Sequence, residues 1–307
     1  MTRVALLAGL ACAALLPVPA VAQAEDPAPG AEADPSIVVT DERPAAPTHR
    51  EVTRQAREIT EPTGIRHAPL PRFEGDRLCP GVIGLKGDFA ALIVDRIRAH
   101  AEALDLWMAA DDGTCSPNLV VAFVDDGQAT LQGIADEQYW LFKDMPRDER
   151  LELLADDGPA HVWTSTQVRT SGGMPVGLRD DGRQVSAMSS GGVARAAIPI
   201  REDITGVLIL FDRDDVRGKS LVQLADYATM RGLARTRPAE GDGQPMDTIL
   251  ALFDADSTPP AEMTAFDSAY LGALYRGQGN QTGLSKILGV SRELERQAQA
   301  AAAADGE

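Results

Sequence analysis

Two apolar segments, each led by a cysteine and separated by an amphipathic helix, constrain the fold of this 307-residue chain most strongly. Cys79-Pro80 precedes the β-prone run GVIGL, and Cys115-Ser116-Pro117 precedes NLVVAFV. Between these runs, residues 88–104 repeat apolar side chains at helical spacing, which predicts a helix. Its apolar face comprises Phe89, Leu92, Ile93, Ile97, Ala101 and Leu104. A strand, a helix and a second strand in this order predict a right-handed crossover and two parallel strands.

The same arrangement predicts a disulfide bond between Cys79 and Cys115. Each cysteine lies just before its strand, so both lie at the same end of a parallel pair and within bridging reach if the strands are neighbours. In the chain-entropy model, closing a loop of this length stabilises a fold by about 4 kcal/mol. We expect a structural bridge, formed in an oxidising compartment.

The N-terminus is typical of an exported protein. Residues 1–24 combine Arg3, an apolar run at 4–16 and two small-x-small patterns that end at Ala22 and Ala24. The apolar run is too short to span a bilayer, which needs about 20 residues. We therefore expect a cleaved signal peptide at 1–24, a periplasmic or secreted protein, and no membrane insertion after cleavage.

Residues 25–47 are rich in alanine, proline and acidic side chains, which predicts a disordered linker. Within this linker, residues 36–43 (SIVVTDER) are β-prone and resemble the TonB-box region of outer-membrane receptors. That resemblance implies an extended peptide that adds a strand to a partner's sheet. An ordinary extended linker and a strand laid on the domain's own sheet remain the alternatives.

The charge balance argues against two classes of partner. Removal of residues 1–24 takes away one arginine and changes the formal net charge from −17 to −18. Such an acidic surface repels phosphate backbones and anionic lipids, which argues against nucleic-acid binding and against a membrane-surface role. It favours either a cationic partner or simple solubility.

The pattern of residues 48–277 predicts a single α/β domain, and that of residues 278–307 predicts a helical, partly disordered tail. Thr48 and Glu51 form a capping box for a first helix, and Thr264 caps the last helix of the domain. The remaining predicted elements are helices near 127–141 and 146–155, strands at 161–169 and 206–212, a hairpin or flap at 170–183, and a helix from 220.

Residues 220–235 read SLVQLADYATMRGLAR and resemble the active-site helix of metzincin-type zinc proteases, which carries the pattern HExxHxxGxxH. With Gly232 as the anchor, Asp226 stands at the position of the glutamate. The three zinc-ligand positions hold Ala225, Thr229 and Arg235. The segments 246–254 and 262–276 are similar to those that follow the zinc helix. The resemblance implies an α/β (α+β) fold of the zincin-like type, with a mixed sheet and a degenerate active-site helix at 220–235.

The mature chain also resembles a family of exported proteobacterial proteins, through the segments LCPGVIGL, PNLVVAFVDDG and QLADYATMRGLA. This resemblance supports export, and it implies no particular activity.

No metal or cofactor site follows from the sequence. The four histidines, at positions 49, 67, 100 and 161, are at least 18 residues apart, whereas zinc sites typically use two histidines four residues apart on a helix. A zinc site assembled from distant residues stays open as an alternative. His100 lies on the apolar side of its helix, which favours a satisfied or half-buried core histidine over a ligand role. Asp212, Asp214 and Asp215 lack the spacing of a calcium loop and are interpreted as a solvated acidic loop. We expect no cofactor and no metal ligand.

Asp226 is the one candidate catalytic residue, as a general base acting on water. Without a metal to lower the pKa of that water, one carboxylate has little leverage on an amide bond. The structural alternative is that Asp226 caps or hydrogen-bonds a neighbouring loop, or pairs with Arg231 or Arg235.

The leading hypothesis is therefore a non-catalytic, zincin-like binding or scaffolding module for an unidentified protein or peptide partner. Leu224, Tyr227 and the flap at 170–183 are its candidate contact residues. The first alternative is a peptidase-like hydrolase that uses Asp226 or a non-standard metal site. The second is an accessory to a TonB-dependent system through residues 37–40.

Overall fold

Across the residues that the computed structural model describes, four strands form one open mixed sheet. These are β1 (Pro80–Ile83), β2 (Leu119–Val124), β3 (Ala160–Thr170) and β4 (Ile200–Asp212). Their order is β1-β2-β4-β3; β1, β2 and β4 are parallel to one another, and β3 is antiparallel to β4. The prediction of a mixed α/β fold in which a helix connects two parallel strands is confirmed.

The structure describes residues 46–304, with gaps at 63, 144, 177–197 and 240–243. These residues belong to a unit that begins at Ala46. The predicted signal peptide at 1–24, the linker up to residue 45 with its segment 36–43, and positions 177–183 of the flap lie outside the described residues.

The described helices are α1 (His49–Glu58), α2 (Gly87–Ala103), α3 (Gly127–Glu137), α4 (Arg147–Ala155), α5 (Leu221–Leu233), α6 (Ala265–Tyr275) and α7 (Gly283–Ala304). Short 3₁₀ turns lie at Tyr139–Phe142 and Ile249–Ala251. Thr48, Ser220 and Thr264 each form a capping box at the start of a helix, because each hydroxyl satisfies a backbone N–H that has no partner within its helix. None of these helices is long and apolar enough to cross a membrane.

The sheet separates two apolar layers. Val121 belongs to the larger cluster, to which α2, α5 and α6 contribute. Ala122, the next residue of the same strand, belongs to the smaller cluster beneath α3 and the 3₁₀ turn. Successive side chains of a strand point to opposite faces, so β2 supplies both clusters.

Helix α2 buries only part of its predicted apolar face. Ile93, Ile97 and Ala101 are fully buried, but Phe89 and Leu92 near the start of the helix are exposed. The apolar face that the sequence shows is therefore covered along only part of the helix. The preceding strand, β1, has only four residues, and its last residue, Ile83, is also exposed. Among the described residues, no layer covers this corner of the sheet.

Helix α5 is buried on all sides instead of along one stripe. Its ten residues from Leu224 to Leu233 are all buried, as expected for a helix in the middle of a core. Gly232 allows close contact with the sheet, because a β-carbon there would lie 2.8 Å from Cδ1 of Leu119. The helix that carries the resemblance to a zinc helix is therefore a central structural element.

Helix α7 occupies the region predicted as a partly disordered tail. Its N-terminal half buries Ile287 and Val290 in the larger core cluster. Glu293 of α7 is buried and accepts two hydrogen bonds from Arg276, at 2.8 and 3.0 Å. These contacts connect α7 to the residue that follows α6.

Candidate functional site

The cysteine pair lies where the two parallel strands begin. The sulfur atoms of Cys79 and Cys115 are at bonding distance, and the Cα atoms are 6.2 Å apart. The amide of Asn118 bridges the same place, accepting from Cys79 N at 2.8 Å and donating to the Arg77 carbonyl at 3.0 Å. The pair therefore holds the N-terminal ends of β1 and β2 together and has a structural role.

Asp226 is fully buried and connects α5 to α2 and to the loop before α6. Its Oδ1 accepts from Arg96 Nε at 2.6 Å and from His100 Nε2 at 2.8 Å. Its Oδ2 accepts from Arg96 Nη2 at 2.7 Å and from Met263 N at 2.6 Å. Of the structural alternatives, the bond to a neighbouring loop is present, whereas the pairing with Arg231 or Arg235 was wrong.

This environment determines the protonation state of Asp226. Burial alone would raise the pKa of the carboxyl group, but the hydrogen bonds from His100, Arg96 and Met263 N outweigh burial and lower it. An ionised carboxylate offers about four lone-pair sites, and four donors occupy them here. Asp226 therefore has no acceptor site left to take a proton from water.

The positions that correspond to zinc ligands have structural partners. Ala225 and Thr229 are fully buried, and the Thr229 hydroxyl donates to the Ala225 carbonyl at 2.8 Å. Arg235 forms ion pairs with Glu61 and Glu149. Burial opposes the charge of Arg235, but the two carboxylates outweigh it and raise its pKa. No group of three histidine, cysteine or acidic side chains within the described ranges could hold a metal ion.

Leu224 and Tyr227, the candidate peptide-contact residues, are core residues. Their exposed fractions are 3% and 1%. The Tyr227 ring meets the Phe253 ring edge-on, with centroids 5.1 Å apart, and its hydroxyl accepts from Arg231 Nη1 at 3.0 Å. Neither side chain presents a surface to a partner, so the expectation of exposed contacts at these two residues does not agree with their burial. Of the flap at 170–183, the described part is a tight turn in which Thr170 N donates to the Met174 carbonyl.

The aspartates of the predicted acidic loop after β4 have two different roles. Asp212 accepts a hydrogen bond from Gly127 N at the start of α3 and lies 3.8 Å from the buried His161. Asp214 forms an exposed ion pair with Arg217. Asp212 therefore fixes the start of α3, and Asp214 belongs to the solvated surface.

A cavity of about 410 Å³ lies between the end of α2 and the junction of α6 with α7, and we call it the α2–α6 cleft. Its walls include residues 103–107 on one side and Tyr275, Arg276, Glu293 and Gln297 on the other. No pattern in the sequence predicted this cleft, because its walls come from segments about 170 residues apart that carry no motif.

Buried cations cap the end of α6 beside this cleft. Arg72 donates to the carbonyls of Leu274, Tyr275 and Gly277, each at 3.0 Å. Lys286 donates to the Arg276 carbonyl, and burial, with a contribution from the charge of Arg72, lowers its pKa to about 8. The backbone acceptors at this helix end are therefore already used by the protein itself.

Comparison of the chain with protein-family models, with curated proteins and with solved structures finds no match.

Proposed function

We propose that this protein is a non-catalytic binding module whose ligand site is the α2–α6 cleft. The observation that carries the proposal is the cleft itself, whose volume of about 410 Å³ lies in the usual range for small-molecule sites, about 300–1,000 Å³. This places the binding surface away from Leu224 and Tyr227. A protein or peptide partner, as expected from the sequence, is one class of ligand for this module.

The lack of catalysis is supported by the chemistry around α5. A general base needs a free lone pair within reach of the proton that it removes, and the lone pairs of Asp226 are taken by four donors. Zinc catalysis needs three protein ligands that converge, and the aligned positions hold Ala225, Thr229 and an ion-paired Arg235.

The zincin-like fold also remains part of the proposal. It is supported by the order of elements, in which a buried strand, β4, leads into α5 and then α6.

Export is a further part of the proposal. A cysteine pair at disulfide distance supports it, since such bonds persist in oxidising compartments. The TonB hypothesis concerns residues outside the described ranges and stays a prediction.

One observation favours the hydrolase alternative, namely the 2.8 Å contact between Asp226 and His100. A carboxylate that orients a histidine is half of a familiar catalytic arrangement. If this pair were catalytic, His100→Gln would abolish a peptidase or esterase activity of the wild-type protein. We expect the wild type and His100→Gln to show the same background level of hydrolysis, measured with a fluorogenic peptide and an ester substrate.

The binding proposal is tested by filling the cleft. Ala103 is an exposed residue at the end of α2 on the cleft wall, so Ala103→Trp would occupy the cavity. Ala129→Trp places the same bulk on an exposed position of α3 and is the matched control. The wild type and both variants are screened by thermal shift against a panel of neutral oligosaccharides and a panel of short peptides.

A ligand that raises the melting temperature of the wild type and of Ala129→Trp, but not that of Ala103→Trp, would support the proposal. Binding that survives Ala103→Trp, or the lack of any ligand in both panels, would contradict it.

A further inference from the structure

Asp105, at the rim of the α2–α6 cleft, has an unusual backbone conformation. Its φ is 58°, and it is the one non-glycine residue with positive φ in the described part of the chain. Asp105 N donates to the Glu102 carbonyl and Leu106 N to the Ala101 carbonyl, both at 3.0 Å. This pattern is a Schellman motif, in which the left-handed residue that ends a helix is usually glycine.

Aspartate is a poor choice at this position for two independent reasons. A side chain with a β-carbon is strained in the left-handed region, although aspartate tolerates it better than most residues. An anion at the C-terminal end of a helix is also disfavoured by the helix dipole. A residue that weakens the fold twice and exposes its carboxylate on a cavity wall is a candidate for function.

The neighbouring wall carries an exposed indole. Trp107 is 59% exposed and lines the same cleft. The guanidinium of Arg77 lies over its ring, 4.6 Å from the centroid, and helps to hold the ring in place. A large, rigid aromatic surface of this kind is suited to stacking against an apolar ligand face.

The charges of the cleft nearly balance. Its side chains comprise two arginines and three carboxylates. Glu74 is paired with Arg72 and Arg201, and Glu293 with Arg276. Among the described residues, Asp105 is thus the carboxylate of the cleft whose side chain has no ion-pair or hydrogen-bond partner. The pKa of Arg276 is raised mainly by its hydrogen bond to Glu293, and the nearby charge of Asp105 adds to this effect. Such a balance does not favour a strongly charged ligand.

The cleft is also poorly suited to main-chain recognition. An extended peptide is held mainly by backbone hydrogen bonds. The carbonyls at the end of α6 are already bound by Arg72 and Lys286. What remains available is a set of planar polar side chains beside an aromatic ring, namely Asp105, Arg276 and Gln297 beside Trp107.

We propose that the α2–α6 cleft binds a neutral saccharide, an inference that rests on the proposed function of this same cleft. A sugar ring has an apolar C–H face, which would stack on the indole of Trp107. Its hydroxyl groups would donate to the carboxylate of Asp105 and accept from Arg276 and Gln297. These interactions use both features of the ligand, and they explain why a carboxylate is kept at a position where glycine would stabilise the fold more.

The test measures the binding of neutral di- to tetrasaccharides by isothermal titration calorimetry and by tryptophan fluorescence. Asp105→Asn keeps a residue that tolerates positive φ, and removes the charge. Trp107→Leu removes the ring, and Trp140→Leu is the control, because Trp140 is 51% exposed but lies outside the cleft. We expect Asp105→Asn and Trp107→Leu each to weaken binding tenfold or more, and Trp140→Leu to leave it within twofold.

Asp105→Gly gives a second readout, since it should raise the melting temperature and weaken saccharide binding at once. Equal binding of one saccharide by wild type and Asp105→Asn would overturn the inference. Binding of peptides but not of saccharides, with loss in Ala103→Trp, would refute the saccharide class and leave the binding module intact. Failure of both panels would remove the proposed function itself.

Discussion

Asp226→Asn is the most informative single substitution, because it changes one atom of a fully buried carboxylate whose hydrogen bonds join α2, α5 and the loop before α6. Asparagine keeps one acceptor oxygen and replaces the other by an NH₂ group. Whichever way the amide turns, two of the four donors that now bind the carboxylate would face another donor.

Hydrogen bonds to charged groups contribute about 1.5–3 kcal/mol each, so two lost bonds correspond to about 3–6 kcal/mol. This value has to be reduced, because the side chains of Arg96 and His100 are about one quarter exposed and recover some hydration. We expect a decrease of about 2–3 kcal/mol in the free energy of unfolding.

The assay is guanidinium denaturation at pH 7 with the disulfide intact. The matched control is Asp215→Asn, the same substitution at an exposed position after β4, for which we expect a change within about 0.5 kcal/mol. If Asp226→Asn changed the free energy of unfolding as little as Asp215→Asn, the hydrogen bonds of Asp226 would not stabilise the fold and the reasoning would be refuted.

Acid titration of the wild type and of Asp226→Asn gives an independent check. The folded-state pKa of Asp226 is lowered below the usual aspartate value of about 3.9. Its contribution to stability is therefore complete above that pH and is lost as the pH falls through the folded-state pKa. The stability difference between wild type and Asp226→Asn should narrow below about pH 4, and a difference that stays constant there would contradict the assignment.

Three further predictions concern the rest of the fold. Gly127→Ala should lower the free energy of unfolding by about 2 kcal/mol or more, because its methyl group would lie 2.3 Å from Cδ2 of His161. The control, Gly133→Ala in the same helix, meets nothing within 4 Å and should stabilise the fold by up to about 1 kcal/mol. Equal effects of the two substitutions in thermal denaturation would contradict the packing around Gly127. Lys286 has a folded-state pKa of about 8, below its value in an unfolded chain, so its charge destabilises the fold at pH 7. The free energy of unfolding of the wild type should therefore rise by about 2 kcal/mol relative to that of Lys286→Met between pH 7 and 9.5. A decrease over that range would show that the sign is wrong. Replacing both bridged cysteines by serine should lower the free energy of unfolding by about 4 kcal/mol, as expected for a separation of 36 residues, and an unchanged midpoint in urea would refute the contribution of the bridge.

Local patterns in the sequence were enough to predict much of the scaffold. The capping boxes at Thr48 and Thr264 lie where the sequence put them, because a cap depends on residues three positions apart. The strand–helix–strand unit and the cysteine pair followed from apolar periodicity and from the geometry of parallel strands. The exposed start of α2 was not predicted, because periodicity does not reveal which turns of a helix a neighbouring layer covers.

The surroundings of the motif residues were decided by tertiary structure. The sequence offered Arg231 and Arg235 as partners of Asp226, since they are near it in the chain, but the fold brings in Arg96 and His100 from a helix about 130 residues away. Burial on every side of α5 changed Leu224 and Tyr227 from candidate contacts into core residues.

What the sequence by itself determined is the set of elements, their caps and the pairing of two strands, because these depend on neighbours along the chain. What only the tertiary structure decided is which charges meet and where a cavity is left. Asp105 follows α2 and Gln297 lies on α7, and both line the α2–α6 cleft. Gln297 reaches this place because α7 packs against α6. Such long-range packing depends on the shapes of whole layers, which a single sequence does not display.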